Sequence, residues 1–167
     1  VLDGLEKLYT KRRDGLQMTV SSINKKRRIL WQYRKKARNL MEHGRIMALA
    51  TATPRGDPNV APMQQCWWYN DHTLVVGDFF MKATKANILA NPRVSCTVWR
   101  ENPREGYKFK GSACYVTSGS EYDFANNKMK EKTPERNLKG VVAIRVEEVY
   151  DIKSGPTAGQ LISGEDK

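Results

Sequence analysis

The stretch GDFFMKATKANILANPRV, residues 77–94, begins as the end of a β-strand and finishes as a short helix stopped at Asn91-Pro92. Between the two halves stand Lys82, Thr84 and Lys85. The first amides of a helix have no partner within it, so two ammonium groups and a hydroxyl at such a junction point to an anion. The competing reading is a solvated first turn with no ligand.

Outward from this junction the chain reads as short β-like runs separated by turn residues. IMALATAT (46–53) is a buried strand and PRGD a turn, while PNVAPMQQCWWY (58–69) is an extended partner whose Pro58 and Pro62 mark an edge or a bulge. Asn70-Asp71 closes a hairpin into TLVVGD (73–78). After the Lys/Thr helix come RVSCTVWR (93–100), YKFKGSACYVTS (107–118), a helix over 120–132 opened by Ser120, and a last strand VVAIRVEEVYDIK (141–153). Six strands in this texture predict a mainly β fold, an antiparallel sandwich or barrel with flanking helices.

The 167 residues suit one domain with an arm. Net charge is +11, but residues 1–45 hold 13 Lys/Arg against 4 Asp/Glu, leaving 16 against 14 for residues 46–167. The positive excess therefore belongs to the arm. Within it, INKKRRILWQYRKKARNLMEH (23–43) places Ile29, Tyr33, Ala37 and Leu40 or Met41 on one helical face with Leu30 beside it, and Gly44 as a stop. Trp31 falls outside the stripe. The basic remainder is a solvated face or a surface for nucleic acid or acidic membrane. The organisation expected is a basic, partly helical arm (1–41), a domain (42–160) and a polar, Gly-rich tail (161–167).

Cys66, Cys96 and Cys114 form no C-x-x-C pair, and their odd number argues against a disulfide framework, so a reducing, cytoplasmic compartment is expected. His43 and His72 have no metal-ligand spacing around them. No apolar run reaches the roughly 18 residues of a membrane span, and no signal-peptide pattern opens the chain.

The order ALATATPRGDPNVAPM, TLVVGDFFMKATKANILANPRVSCTVW, GYKFKGSA and VAIRVEEVYDIKSGPTAG resembles the FMN-binding split β-barrel family, also called pyridoxamine 5'-phosphate oxidase-like, over roughly residues 42–160. The resemblance implies a six-stranded antiparallel split barrel, a homodimer, and one FMN in each cleft between subunits. It places the flavin phosphate at Lys82, Thr84 and Lys85, where free amides and the positive helix end favour a dianion. It lays the isoalloxazine ring along backbone groups of Asn59, Val60, Ala61, Pro62, Met63 and Gln64, with Gly77 and Asp78 beside the ribityl chain. For Val60, Ala61 and Met63 the alternative is core packing, and for Gly77 a bulge. Many members carry Lys or Arg where this chain has Ala83, which leaves Lys82 or Lys85 to supply the charge. Trp67, Trp68 and Trp99 are expected in the core or a dimer interface, with one a possible wall of the flavin pocket; Cys66 and Cys96 are expected as inert buried thiols.

No residue set for covalent or acid/base catalysis is visible, nor a glycine-rich nucleotide loop. That suits a flavoprotein, in which the cofactor carries the redox step. The tail GPTAGQLISGEDK lacks the Arg-Leu-x-Pro-like segment of true pyridoxamine phosphate oxidases, which argues against vitamin B6 as substrate. The expectation is an FMN-dependent oxidoreductase or electron-transfer protein with an unidentified redox partner or small-molecule substrate. Alternatives are a non-catalytic binder of haem or a deazaflavin on the same barrel, and a nucleic-acid-associated protein acting through the arm.

Overall fold

The computed structural model describes residues 35–42 and 46–164. Within them the order is α1 (35–42), β1 (Met47–Ala52), β2 (Pro58–Met63), β3 (Cys66–Trp68), β4 (Thr73–Asp78), α2 (Ala83–Ala90), β5 (Arg93–Arg100), β6 (Glu105–Val116), α3 (Ser120–Lys130), β7 (Gly140–Asp151) and β8 (Leu161–Gly164). Ile29, Leu30, Trp31, Tyr33, His43 and Gly44 lie outside the described residues.

The strands form one antiparallel sheet in the order β2-β1-β5-β6-β7-β4-β3, and β8 pairs with β7. Strands β2 and β3 stand at opposite edges, yet only Gln64 and Gln65 separate them in the chain. Three Cα steps reach no more than about 11 Å, so the sheet must curl until its edges nearly meet. The result is the split, antiparallel barrel that the sequence predicts. Its strand count differs in two places: the predicted run 58–69 breaks at Gln64-Gln65 to change edges, and Leu161–Gly164 of the predicted tail adds β8.

Strand β7 explains why VVAI is apolar at every position. Its outer half pairs with β4, from Thr73↔Arg145 to Asp78↔Gly140, and both of its faces there are covered. Val142, Ile144 and Val146 point into the barrel with Leu49, Leu74, Val76, Cys96, Val98 and Phe109. Val141 and Ala143 face outward under α3, against Val75, Ala125, Met129 and Leu138. Further along, β7 exchanges β4 for β8 at Glu148–Tyr150. A bulge between Lys110 and Gly111 accommodates the bend of β6 against β7, and a Cβ on Gly111 would collide with the Arg145 carbonyl.

Helix α1 contributes Ala37, Leu40 and Met41 to the barrel core, each at most 3% exposed. These are the three described members of the predicted apolar stripe, and a domain boundary at residue 41 crosses this helix. Helix α3 starts one residue beyond its cap, Gly119, so Ser120 is its first residue and not the cap; the Ser120 hydroxyl bonds Glu121. Its charges follow the helix dipole, with Glu121 and Asp123 first and Lys128 and Lys130 last.

Trp68 is buried edge-on against Phe109 at 5.6 Å, Trp67 packs beside the α3 cluster, and Trp99 is 54% exposed. Cys66 and Cys96 are free and buried, and Cys114 is free and exposed. Burial pushes the Cys66 thiol up to about 11 and the Cys96 thiol higher still, which leaves both as unreactive thiols. No helix among the described residues is long and apolar enough to cross a membrane.

Candidate functional site: the junction of β4, α2 and the edge of β2

Strand β4 ends in Asp78, a residue only 2% exposed. One oxygen accepts the Met81 amide at 2.7 Å and the other the Tyr115 hydroxyl at 2.7 Å. A carboxylate accepting a backbone N–H three residues on forms a tight local turn, and this turn carries the chain from β4 into α2. Gly77 serves the same junction differently. A Cβ there would press on Leu138 at 2.8 Å, while its amide bonds the Gln65 carbonyl at 2.8 Å.

Helix α2 opens without a side-chain cap at Lys82 and without an acidic residue in its first turn. Its first intrahelical bond runs from the Ala86 amide to the Lys82 carbonyl, so the amides of Ala83, Thr84 and Lys85 have no partner within the helix. Lys82 is exposed and Lys85 half-buried, its ammonium 4.2 Å from the centre of the Tyr115 ring. Asn91 ends the helix as the sequence predicts, its side-chain Nδ2 donating to the Ala52 carbonyl at 3.2 Å.

Thr84 differs from the simple picture of a hydroxyl presented to solvent. It is only 4% exposed, and its Oγ1 accepts from Asn59 Nδ2 at 3.2 Å. The same Asn59 nitrogen donates to Thr51 Oγ1 at 3.1 Å, which also accepts from Asn87 Nδ2 at 3.1 Å. This network ties β1, β2 and the first turn of α2 together. A hydroxyl that accepts still has its own hydrogen to donate, and among the described residues none takes it from Thr84.

Residues 59–64 behave as an edge strand should. Strand β2 pairs with β1 alone, and prolines sit in sheets where the missing N–H would face away from the neighbour. Val60 shares the orientation of Pro58 and Pro62 by the two-residue period of a strand. It is 66% exposed, which removes core packing as its explanation. Met63 is buried in the barrel core, Ala61 packs partly against it, and Pro62 and Gln64 are exposed.

Sequence reasoning missed Tyr115, which stands 37 residues from Asp78 in the chain and meets it through the β6–β7–β4 ladder. Its ring lies over Gly140, where a Cβ would run into the phenol. Burial first, then the bond to the Asp78 carboxylate and that group's charge, pushes the Tyr115 phenol well above its ordinary value near 10. The alternation of buried Phe109, Gly111 and Ala113 on β6 was the available signal that Tyr115 continues the inward face.

A concavity of about 410 Å³ lies at the other end of β6, between α1 and the β5–β6 hairpin. Arg100, Arg104, Lys153 and Asp151 line it, and none of the predicted cofactor residues does. Among the described residues no group of three or more His, Cys, Asp or Glu is placed to hold a metal. His72 sits exposed on the β3–β4 hairpin, where Asn70 Oδ1 accepts its amide at 2.9 Å.

The family model described as pyridoxamine 5'-phosphate oxidase matches residues 33–153. The chain belongs to the pyridoxamine 5'-phosphate oxidase-like family of FMN-binding split barrels. It is 37% identical over 122 residues to an uncharacterized protein of Methanocaldococcus jannaschii, covering 71% of this chain and 80% of the relative. The crystal structure of HupZ from Group A Streptococcus shares 25% identity at a TM-score of 0.66, covering 75% of this chain and 98% of that one. An FMN-binding protein from Syntrophomonas wolfei shares the fold at 18% identity and a TM-score of 0.67, over 80% of this chain and 97% of that one. So does HutZ, described as a haem storage protein from Vibrio cholerae, at 18% identity and a TM-score of 0.56, over 70% of this chain and 92% of that one.

Proposed function

We propose that this chain is an FMN-binding flavoprotein, acting as an oxidoreductase or electron-transfer protein in the cytoplasm, and that it works as a homodimer. The single observation that carries the reading is the bond from Asn59 to Thr84. It joins the two separate halves of the predicted cofactor site, the free edge of β2 and the uncapped start of α2.

The residues present suit a flavin mononucleotide. Three amides without a partner among the described residues, the positive end of the helix and two lysines meet at a first turn without a carboxylate, which is a donor set for a phosphate dianion. Thr84 keeps a hydrogen to donate to the same group. With Pro58 and Pro62 turned to the free edge of β2, that edge offers the Val60 amide and the Val60 and Pro62 carbonyls to a flavin, and the exposed Val60 side chain sits beside them as an apolar contact. Asp78, with both oxygens already engaged, holds the turn in shape. When bound, the flavin would supply hydride or electron transfer.

The exposed Val60 of β2, at 66%, and Phe80 of the turn between β4 and α2, at 83%, are the surface a second protomer would cover. Among the described residues the one histidine, His72, stands at the opposite end of β4 from the β2–α2 site, which favours flavin over haem there.

The test is the visible spectrum of the purified protein, followed by titration with FMN and riboflavin and by light scattering. Flavin bands, or uptake of added FMN in preference to riboflavin by a dimeric protein, are expected. A Soret band, a deazaflavin spectrum, or a colourless protein that takes up no FMN would overturn the reading.

A further inference from the structure

Lys82 and Lys85 are not equivalent, although the sequence gives no reason to separate them. Lys82 is exposed, whereas the Lys85 ammonium rests 4.2 Å from the centre of the Tyr115 ring. A cation over an aromatic face is held by the quadrupole of the ring, and this ring is itself immobilised. Its hydroxyl donates to buried Asp78 at 2.7 Å, and the hydroxyl end of the phenol lies so close to Gly140 that no side chain would fit there. Asp78 in turn holds the Met81 amide, one residue before Lys82. Asp78, Tyr115 and Lys85 thus form a chain of support running from the end of β4 to the first turn of α2.

We propose that Tyr115 is a positioning residue of the phosphate site, holding Lys85 as the lysine that distinguishes a phosphorylated ligand from its dephosphorylated form. The proposal rests on the reading of the β4–α2 junction as the FMN phosphate site. A lysine already held in place loses less freedom on binding than a solvated one. Lys85 therefore contributes a directed bond, and Lys82 a general attraction that salt screens.

The test compares FMN with riboflavin on the full-length apoprotein and its Lys85→Ala, Tyr115→Phe, Tyr115→Leu and doubly substituted Tyr115→Leu, Lys85→Ala forms. The readout is the ratio of the two dissociation constants, because a loosened fold weakens both ligands alike. Tyr115→Phe keeps the ring and should keep the ratio within about threefold, whereas Tyr115→Leu and Lys85→Ala should each lower it about tenfold. The double variant should fall little below either single one, since both remove the same positioned charge.

A second measurement needs no variant. In the NMR spectrum of the parent apoprotein, the Lys85 side-chain methylene resonances should lie upfield through the ring current of Tyr115. Resonances at ordinary lysine positions would overturn the proposal. If the parent prefers FMN and Tyr115→Leu preserves that preference, the role of Tyr115 falls and the phosphate site stands. If the parent shows no preference for FMN, the phosphate site falls and this proposal falls with it.

Discussion

Thr84→Ala separates the two duties that the structure gives one hydroxyl. Its oxygen accepts from Asn59, and its hydrogen is available to a phosphate. Within the protein the substitution removes one neutral hydrogen bond, and Asn59 keeps its other acceptor, Thr51. That loss costs about 1 kcal/mol, which for a chain of this size lowers Tm by roughly 2–4 °C. Toward the ligand it removes a bond to a charged group, worth about 1.5–3 kcal/mol, or roughly ten- to over a hundredfold in affinity for FMN. Riboflavin lacks the phosphate, so its affinity should change by no more than about threefold, the cost of a slightly loosened β2–α2 contact. Thr84→Ser should restore most of both effects. Isothermal titration with each ligand beside a thermal melt measures all three quantities. Equal loss of FMN and riboflavin affinity would refute the reasoning and leave Thr84 as a structural tie alone.

Four further outcomes follow from the packing and the electrostatics. Leu40→Ala, which hollows the core beneath α1, should cost about 2–5 kcal/mol in denaturant unfolding while leaving the FMN to riboflavin ratio unchanged. Gly111→Ala forces a methyl onto the Arg145 carbonyl and should destabilise by several kcal/mol, about as much as the largest core truncations, read from the same unfolding curves. Of the three thiols, Cys114 should react with a thiol reagent in the native protein and Cys66 and Cys96 only on unfolding, as peptide mapping of the labelled sites would show. Because folding raises the Tyr115 phenol, its contribution is complete below the unfolded value near 10 and is lost as pH climbs beyond it; Tyr115→Phe should flatten that alkaline fall in stability, measured by urea unfolding across the range.

Sequence alone reached far into this protein where the information is local. A strand that ends in Gly77-Asp78, a lysine-rich turn and a helix stopped by Asn91-Pro92 are written in neighbouring residues, and α2 and its flanking strands form where those signals stand. The apolar spacing of Ala37, Leu40 and Met41 likewise announced a buried helical face. What it could not supply was any relation between distant segments. PNVAPM and CWW read as one strand because their composition is continuous; only closure of the sheet requires the chain to step from one edge to the other at Gln64-Gln65.

The same limit governs the site. Local pattern placed Thr84 at a helix start, but its burial depends on Asn59, 25 residues earlier, and on how β2 lies against α2. Tyr115 carried no motif, since a tyrosine at the end of a strand is ordinary. It acquires its role from three contacts that only folding assembles, to Asp78, Gly140 and Lys85. Period and composition fix which residues face inward, whereas the register of β6 on β7 and of β7 on β4 fixes which inward residues meet.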